Sequence, residues 1–322
     1  MHAGASAGSG VARRRPLVEA AAMMVSLLRN FAWRLGGASD RVAGNRRKWD
    51  REAGYADYHA FCRNRFARNE VPSGETPSEG YERFRVIAPE VAASLRQRIE
   101  SDYGCVRTRE KSPHKQVYQI DDPGFDRELL EQVVTPALDE RAVRYFGSEY
   151  FVYWYSVSRS IPTPELLHNS FRWHCDRGPE QHLKLLLYLN DYEEHGGKTG
   201  FLDMLTTQRI AKTGYVFDSV RTRVSDLAPY AKRVGAAYEP WSPELNAGEG
   251  VLFSPARTLH RGFIPRHGPR VVVTLCLLPS PIPWREAFDR GGIPSLTEGK
   301  WHAHAAELQD RLVGSGAEPR DA

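Results

Sequence analysis

The chain has 322 residues, 41% hydrophobic and 11% aromatic, and a net charge of +4. This apolar content supports a substantial core and excludes disordered and collagen-like classes, while the length suits one large catalytic domain with helical additions or two small domains. Residues 1–50 carry nine Lys/Arg against three Asp/Glu, so the rest is close to neutral and lacks the basic stripe with interleaved aromatics that a nucleic-acid partner requires.

In chain order, residues 1–12 are Ala/Gly/Ser-rich and read as disordered. Arg13, Arg14 and Arg15 precede the apolar run Ala20 to Leu28, which is too short to span a bilayer. The arrangement resembles the start of an export signal, but Glu19 interrupts it and no A-x-A cleavage site follows. We read residues 16–35 as an amphipathic helix, with membrane-surface contact as the alternative. Residues 1–79 are then an N-terminal helical extension ending in a linker, where Pro72, Gly74, Pro77 and Gly80 cluster. Val91, Leu95 and Ile99 behind Ala88-Pro89 predict a helix over 89–100, and Leu129, Leu130, Val133 and Val134 continue the helical pattern over 126–146.

From Tyr150 the pattern changes to short runs of aromatic and branched residues, predicting strands over 150–157, 182–189, 251–253 and 270–278. The expected fold is mainly β with flanking helices (α+β), built on an antiparallel jelly roll or double-stranded β-helix of the cupin-like kind. The main domain is expected over 80–290, with a partly helical insertion at about 205–245 and a helical tail over 291–322. Cys62, Cys105, Cys175 and Cys276 form no CxxC pair, which argues against a zinc ribbon or a disulfide-stapled scaffold and suits a reducing cytoplasm.

The chemistry concentrates at His174-Cys175-Asp176. In an extended segment alternate side chains share a face, so this imidazole and carboxylate can converge on one ion. Two neutral imidazoles and one carboxylate cover one face of an octahedral ion, the arrangement of non-haem Fe(II) oxygenases. His260 is the candidate second histidine, because it follows Gly248 to Phe253, a turn leading into an apolar strand. Arg270 opens the branched run Val271 to Leu275, and its planar, permanently charged fork suits the distal carboxylate of 2-oxoglutarate. A lone H-x-D is common by chance; the order and spacing of all four residues give it weight.

These residues resemble the phytanoyl-CoA-dioxygenase-like branch of the Fe(II)/2-oxoglutarate oxygenases. The resemblance runs through Gly80-Tyr81 to Arg96, Trp173 to Asp176, Leu185 to Asp191, Gly248 to Phe253, Leu259 to Gly262, and Arg270. Two departures stand out: Glu194 to Thr199 is closer to the G-G-x-T turn of prolyl-hydroxylase-like relatives, and Val272 occupies a position where some relatives have a hydroxyl residue. The resemblance implies a hydroxylase that uses Fe(II), 2-oxoglutarate and O2, attacks an unactivated C–H bond and releases succinate and CO2. Asp176, where related halogenases have Gly or Ala, favours hydroxylation. The substrate is left open among small molecules, acyl groups and peptides, with an anionic preference if Arg221 and Arg223 of the insertion face the site.

Other residues have competing readings. Tyr153 and Tyr155 read first as core packing, with a phenol contact from Tyr155 to the co-substrate as the alternative. Lys184 and Tyr188 share a strand face and are further candidates for that contact. His182 competes with His260 but reads as packing, His267 as solvated, and His168 and His195 as loop residues; His302 and His304 lack a third ligand. Two rival functions remain at this level: a cupin-like metal enzyme without 2-oxoglutarate, for which Arg270 has no use, and a non-catalytic β-sandwich module.

Overall fold

The computed structural model describes residues 54–68, 77, 79–107, 115–163, 169–176, 178–215, 223–291 and 305–314, all within one unit of the chain. The expected helix over 16–35, most of the 71–80 linker, Arg221, His168, His302 and His304 lie outside the described residues.

The strands are β1 (Tyr81–Arg85), β2 (Cys105–Arg107), β3 (Lys115–Tyr118), β4 (Glu149–Ser160), β5 (Leu183–Tyr188), β6 (Thr199–Phe201), β7 (Glu249–Phe253), β8 (His260–Gly262) and β9 (Arg270–Ser280). Seven form an antiparallel sheet in the order β1-β7-β5-β9-β4-β3-β2, and β6 pairs with β8 in a second, smaller sheet. Single bridges widen the smaller sheet on both sides, His174 to His260 and Phe201 to Trp241. Phe201 packs with Tyr188, Phe253 and Val272 of the larger sheet, so the two sheets face one another. This is the double-stranded β-helix expected from the strand pattern.

Side-chain alternation assigns the larger sheet two tasks. On β9, Val271, Val273, Leu275 and Leu277 enter the main core, as do Leu183, Leu185 and Leu187 of β5. Their alternates, Arg270, Val272 and Thr274 on β9 and Lys184 and Leu186 on β5, line a cavity on the opposite face. Both strands are thus buried on two sides, which explains their nearly continuous apolar sequence.

The core face is covered by α2 (Pro89–Asp102), α3 (Pro123–Val133) and α4 (Pro136–Phe146), while α1 (Tyr55–Asn64) packs in a separate cluster with Cys276 and Leu278, which alternate with the core-facing residues of β9. Each of α2, α3 and α4 begins with a proline in its first turn, where the missing N–H costs nothing. The Asp122 carboxylate caps α3 by accepting from the Gly124 and Phe125 amides. The helical pattern over 126–146 breaks into two helices because Thr135, held extended before Pro136, ends one and caps the next. The remaining helices are α5 (Tyr192–His195), α6 (Met204–Ala211), α7 (Ala228–Arg233), α8 (Trp284–Gly291) and α9 (Ala305–Val313).

The described residues within 205–245 form a brace rather than a solvated flap. Ile210 and Ala211 of α6 and Ala231 of α7, with Leu227, close an apolar cluster around Trp173, Cys175 and Leu259. Tyr215 donates to the Trp173 carbonyl at 2.9 Å and accepts from the Val224 amide at 2.8 Å, and Trp173 Nε1 donates to the Tyr238 hydroxyl at 3.0 Å. The insertion therefore holds the residues on either side of His174.

Candidate metal centre and its cavity

His174, Asp176 and His260 come together: one potential ligand atom from each lies within 4.8 Å of the others. His174 and His260 form an antiparallel bridge, with reciprocal amide-to-carbonyl bonds of 3.0 and 2.9 Å. The Asp176 amide donates to the Pro255 carbonyl at 2.8 Å. Backbone pairing therefore fixes all three positions. His174 Nε2 lies 3.6 Å from Asp176 Oδ1, and His260 Nε2 lies 3.8 Å from Oδ2.

The imidazoles are oriented by their far nitrogens. His174 Nδ1 donates to the Arg172 carbonyl at 2.8 Å, and His260 Nδ1 to the Thr258 carbonyl at 3.0 Å. Placing the proton on Nδ1 leaves the Nε2 lone pairs aimed at the shared space, the tautomer an ion needs. Burial lowers the pKa of both histidines, with His260 and Arg223 adding to the effect at His174. Burial pushes the Asp176 carboxyl up, but Lys184, His260 and His174 outweigh it and hold the group ionised, well below the usual carboxylate range. Two neutral nitrogens and one anionic oxygen thus form a donor set that fits a divalent cation.

The centre opens into a cavity of about 180 Å³ between the two sheets. Arg270 lines it, donating from Nη1 to the Lys198 carbonyl at 2.6 Å, while its buried Nε has no hydrogen-bond partner. A buried guanidinium N–H without an acceptor is costly unless a ligand supplies one. Gly262 gives it room, since a Cβ there would sit 3.5 Å from Arg270 Nη2 and 3.2 Å from the Phe171 ring. Lys184 also faces the cavity, but its ammonium bonds Asp176 Oδ2 at 2.5 Å and lies 4.9 Å from the centre of the Trp154 ring. Tyr188 is buried behind the wall, its hydroxyl 2.9 Å from Thr199 Oγ1 and its ring 5.7 Å from the Arg270 guanidinium.

Two expectations need correction. Tyr155 does not reach the cavity: it points to the helix-covered face, where its hydroxyl donates to Asp126 of α3. A bulge between Val152 and Trp154 sets the phase of β4 so that Trp154, Ser156, Ser158 and Ser160 face the cavity instead. His195 is fully buried rather than a loop residue, with Nδ1 accepting from the Gly197 amide at 2.9 Å. His182 is buried with Nδ1 donating to the Pro179 carbonyl, apart from the three-residue cluster. His267 is exposed. The serine row of β4 was missed, although its signal was present: serine at every second position of a strand otherwise made of large residues marks one polar face.

No protein-family model and no curated protein matches the chain. Among solved structures it is similar to EctD from S. alaskensis in its apo form, at 16% identity and a TM-score of 0.44 over 66% of this chain and 79% of that one. It is also similar to HygX from Streptomyces hygroscopicus with nickel and 2-oxoglutarate bound, at 17% identity and 0.39 over 63% and 84%. A Pseudomonas putida prolyl-4-hydroxylase gives 16% and 0.37 over 62% and 92%. At these identities and scores the likeness is one of chain course alone. No helix among the described residues is long and apolar enough to cross a membrane.

Proposed function

We propose that the chain is an Fe(II)- and 2-oxoglutarate-dependent oxygenase that hydroxylates an unactivated C–H bond, consuming O2 and releasing succinate and CO2. The observation that carries this reading is the convergence of His174, Asp176 and His260 in a cavity whose wall also holds Arg270 with an unsatisfied buried Nε. Fe(II), when bound, supplies O2 activation that no side chain provides. The protein's residues hold and orient: His174, Asp176 and His260 occupy one face of the ion, and the Arg270 fork takes the distal carboxylate of the co-substrate. One apolar cluster against the smaller sheet and a second between the two sheets keep bulk water from the site. A cupin-like enzyme without 2-oxoglutarate leaves the buried Arg270 Nε without an acceptor.

Within the superfamily, the ordered motifs from Gly80 to Arg270 support the phytanoyl-CoA-dioxygenase-like branch. An anionic substrate suits Lys115 in the cavity wall and Arg223, whose charge acts on both histidines. Unchanged kinetics after Arg223→Gln would count against that preference. A cytoplasmic location fits four cysteines of which none forms a disulfide.

The test is anaerobic titration with Fe(II) and 2-oxoglutarate, followed by the visible metal-to-ligand charge-transfer band. The band is expected in the unaltered protein and lost or weakened in Asp176→Ala and Arg270→Ala. Bound iron without a band favours the cupin reading, and no iron binding favours a non-catalytic module.

A further inference from the structure

Lys184 is unexpectedly placed for a cavity residue. Its Nζ lies 2.5 Å from Asp176 Oδ2, and both side chains are at least four-fifths buried. Asp176 is the sole carboxylate in the described cavity wall, against Lys115, Lys184 and Arg270. The proposed ion therefore enters a site where its only anionic ligand already carries a cation. Lys184 has little room to withdraw. Its stem rises near the start of β5, between Cys276 of β9 and Phe253 of β7 in the sheet register, and its ammonium is seated over Trp154.

We propose that Lys184 is a built-in cation of the metal centre, which holds Asp176 before an ion arrives and afterwards exchanges metal affinity for affinity toward the dianionic co-substrate. This rests on the metal and 2-oxoglutarate reading above. The physical basis is the sign of the charge: a fixed positive charge a few ångströms from the ligand carboxylate repels a divalent cation and attracts a dianion, most strongly where water is excluded. It leaves Asp176 oriented, with one oxygen claimed by the ammonium and the other available to the ion. Lys184 is thus a positioning residue that sets the balance between two bindings and takes no part in the chemistry.

Opposite effects on two ligands distinguish this role from a structural one. Lys184→Gln keeps an N–H donor toward Asp176 and removes the charge; Lys184→Arg keeps the charge. Mn(II) binding is measured by calorimetry or electron paramagnetic resonance, and 2-oxoglutarate binding is then measured on the Mn(II)-saturated protein. The Gln variant is expected to bind Mn(II) about tenfold more tightly and 2-oxoglutarate about tenfold more weakly, with the Arg variant within about threefold of the unaltered protein for both. If both affinities weaken together in the Gln variant, Lys184 is only a structural support and the proposal is overturned; unchanged affinities overturn it equally. Absence of Mn(II) binding in the unaltered protein instead overturns the metal reading, and this inference with it.

Discussion

Lowering the pH from 7.5 to 5.5 should unfold the metal-free protein far more readily than its carboxylates predict. His59, His182 and His195 are buried, and burial lowers each imidazole from the ordinary 6.5 to about 4. A group whose pKa is depressed by folding contributes stability that is fully present above the unfolded value, and is lost as pH falls from about 6.5 toward about 4. At pH 5.5 an unfolded imidazole is about nine-tenths protonated and a native one only a few per cent, which costs on the order of 1 kcal/mol each and a few kcal/mol for the three together. His174 and His260 shift in the same direction and add to the loss. Against a typical total of about 5–15 kcal/mol, the loss is large. Urea unfolding of metal-free protein at pH 7.5, 6.5, 5.5 and 4.5 measures it directly, and His59→Gln should remove about a third of the slope from these three groups. Stability at pH 5.5 within about 1 kcal/mol of that at pH 7.5 would refute the view that these histidines are held neutral by burial.

Arg270→Ala should weaken 2-oxoglutarate binding by roughly 30-fold or more, because truncating one partner of a buried charged pair costs about 2–5 kcal/mol. Mn(II) affinity should be unchanged, and calorimetry separates the two effects. Tyr155→Phe should destabilise the fold by about 1–3 kcal/mol in urea, since the buried Asp126 loses its donor. Its 2-oxoglutarate affinity should not move; a loss of affinity at full stability would return Tyr155 to the cavity. Gly248→Ala should cost more than about 2 kcal/mol in the same assay, because φ is +80° and the added Cβ would lie 2.3 Å from the Ile87 carbonyl oxygen. A near-neutral change there would show that the turn before β7 yields more easily than its contacts imply.

The candidate metal site was legible because its signal is local. An H-x-D in an extended segment fixes which side two groups share, and His260 and Arg270 each open a strand whose neighbours are recognisably apolar. The fold class followed from strand length and spacing for the same reason. β4 was harder: it is buried on both faces along nearly its whole length, so Phe151 to Tyr155 show no alternation of polar and apolar residues, and the bulge at Val152/Trp154 shifts the phase without any mark in sequence. Tyr155 therefore carried two readings, and the one that holds is core packing rather than the co-substrate contact. Lys184 was placed on the cavity face, but nothing in its own strand indicates that Asp176 lies within reach. The bracing role of residues 205–245 was equally invisible, because it depends on Tyr215 and Tyr238 meeting Trp173 from remote segments.

The reciprocal bonds between His174 and His260 make two of the proposed ligands opposite ends of one rung in the smaller sheet. That rung joins segments separated by three strands of chain, so it is a non-local closure that local structure alone does not form. An ion held by both side chains would act as a clasp on that closure, coupling metal occupancy to the opening of a single backbone pair. Amide exchange at residues 174 and 260 would then report loading of the centre without any substrate being known.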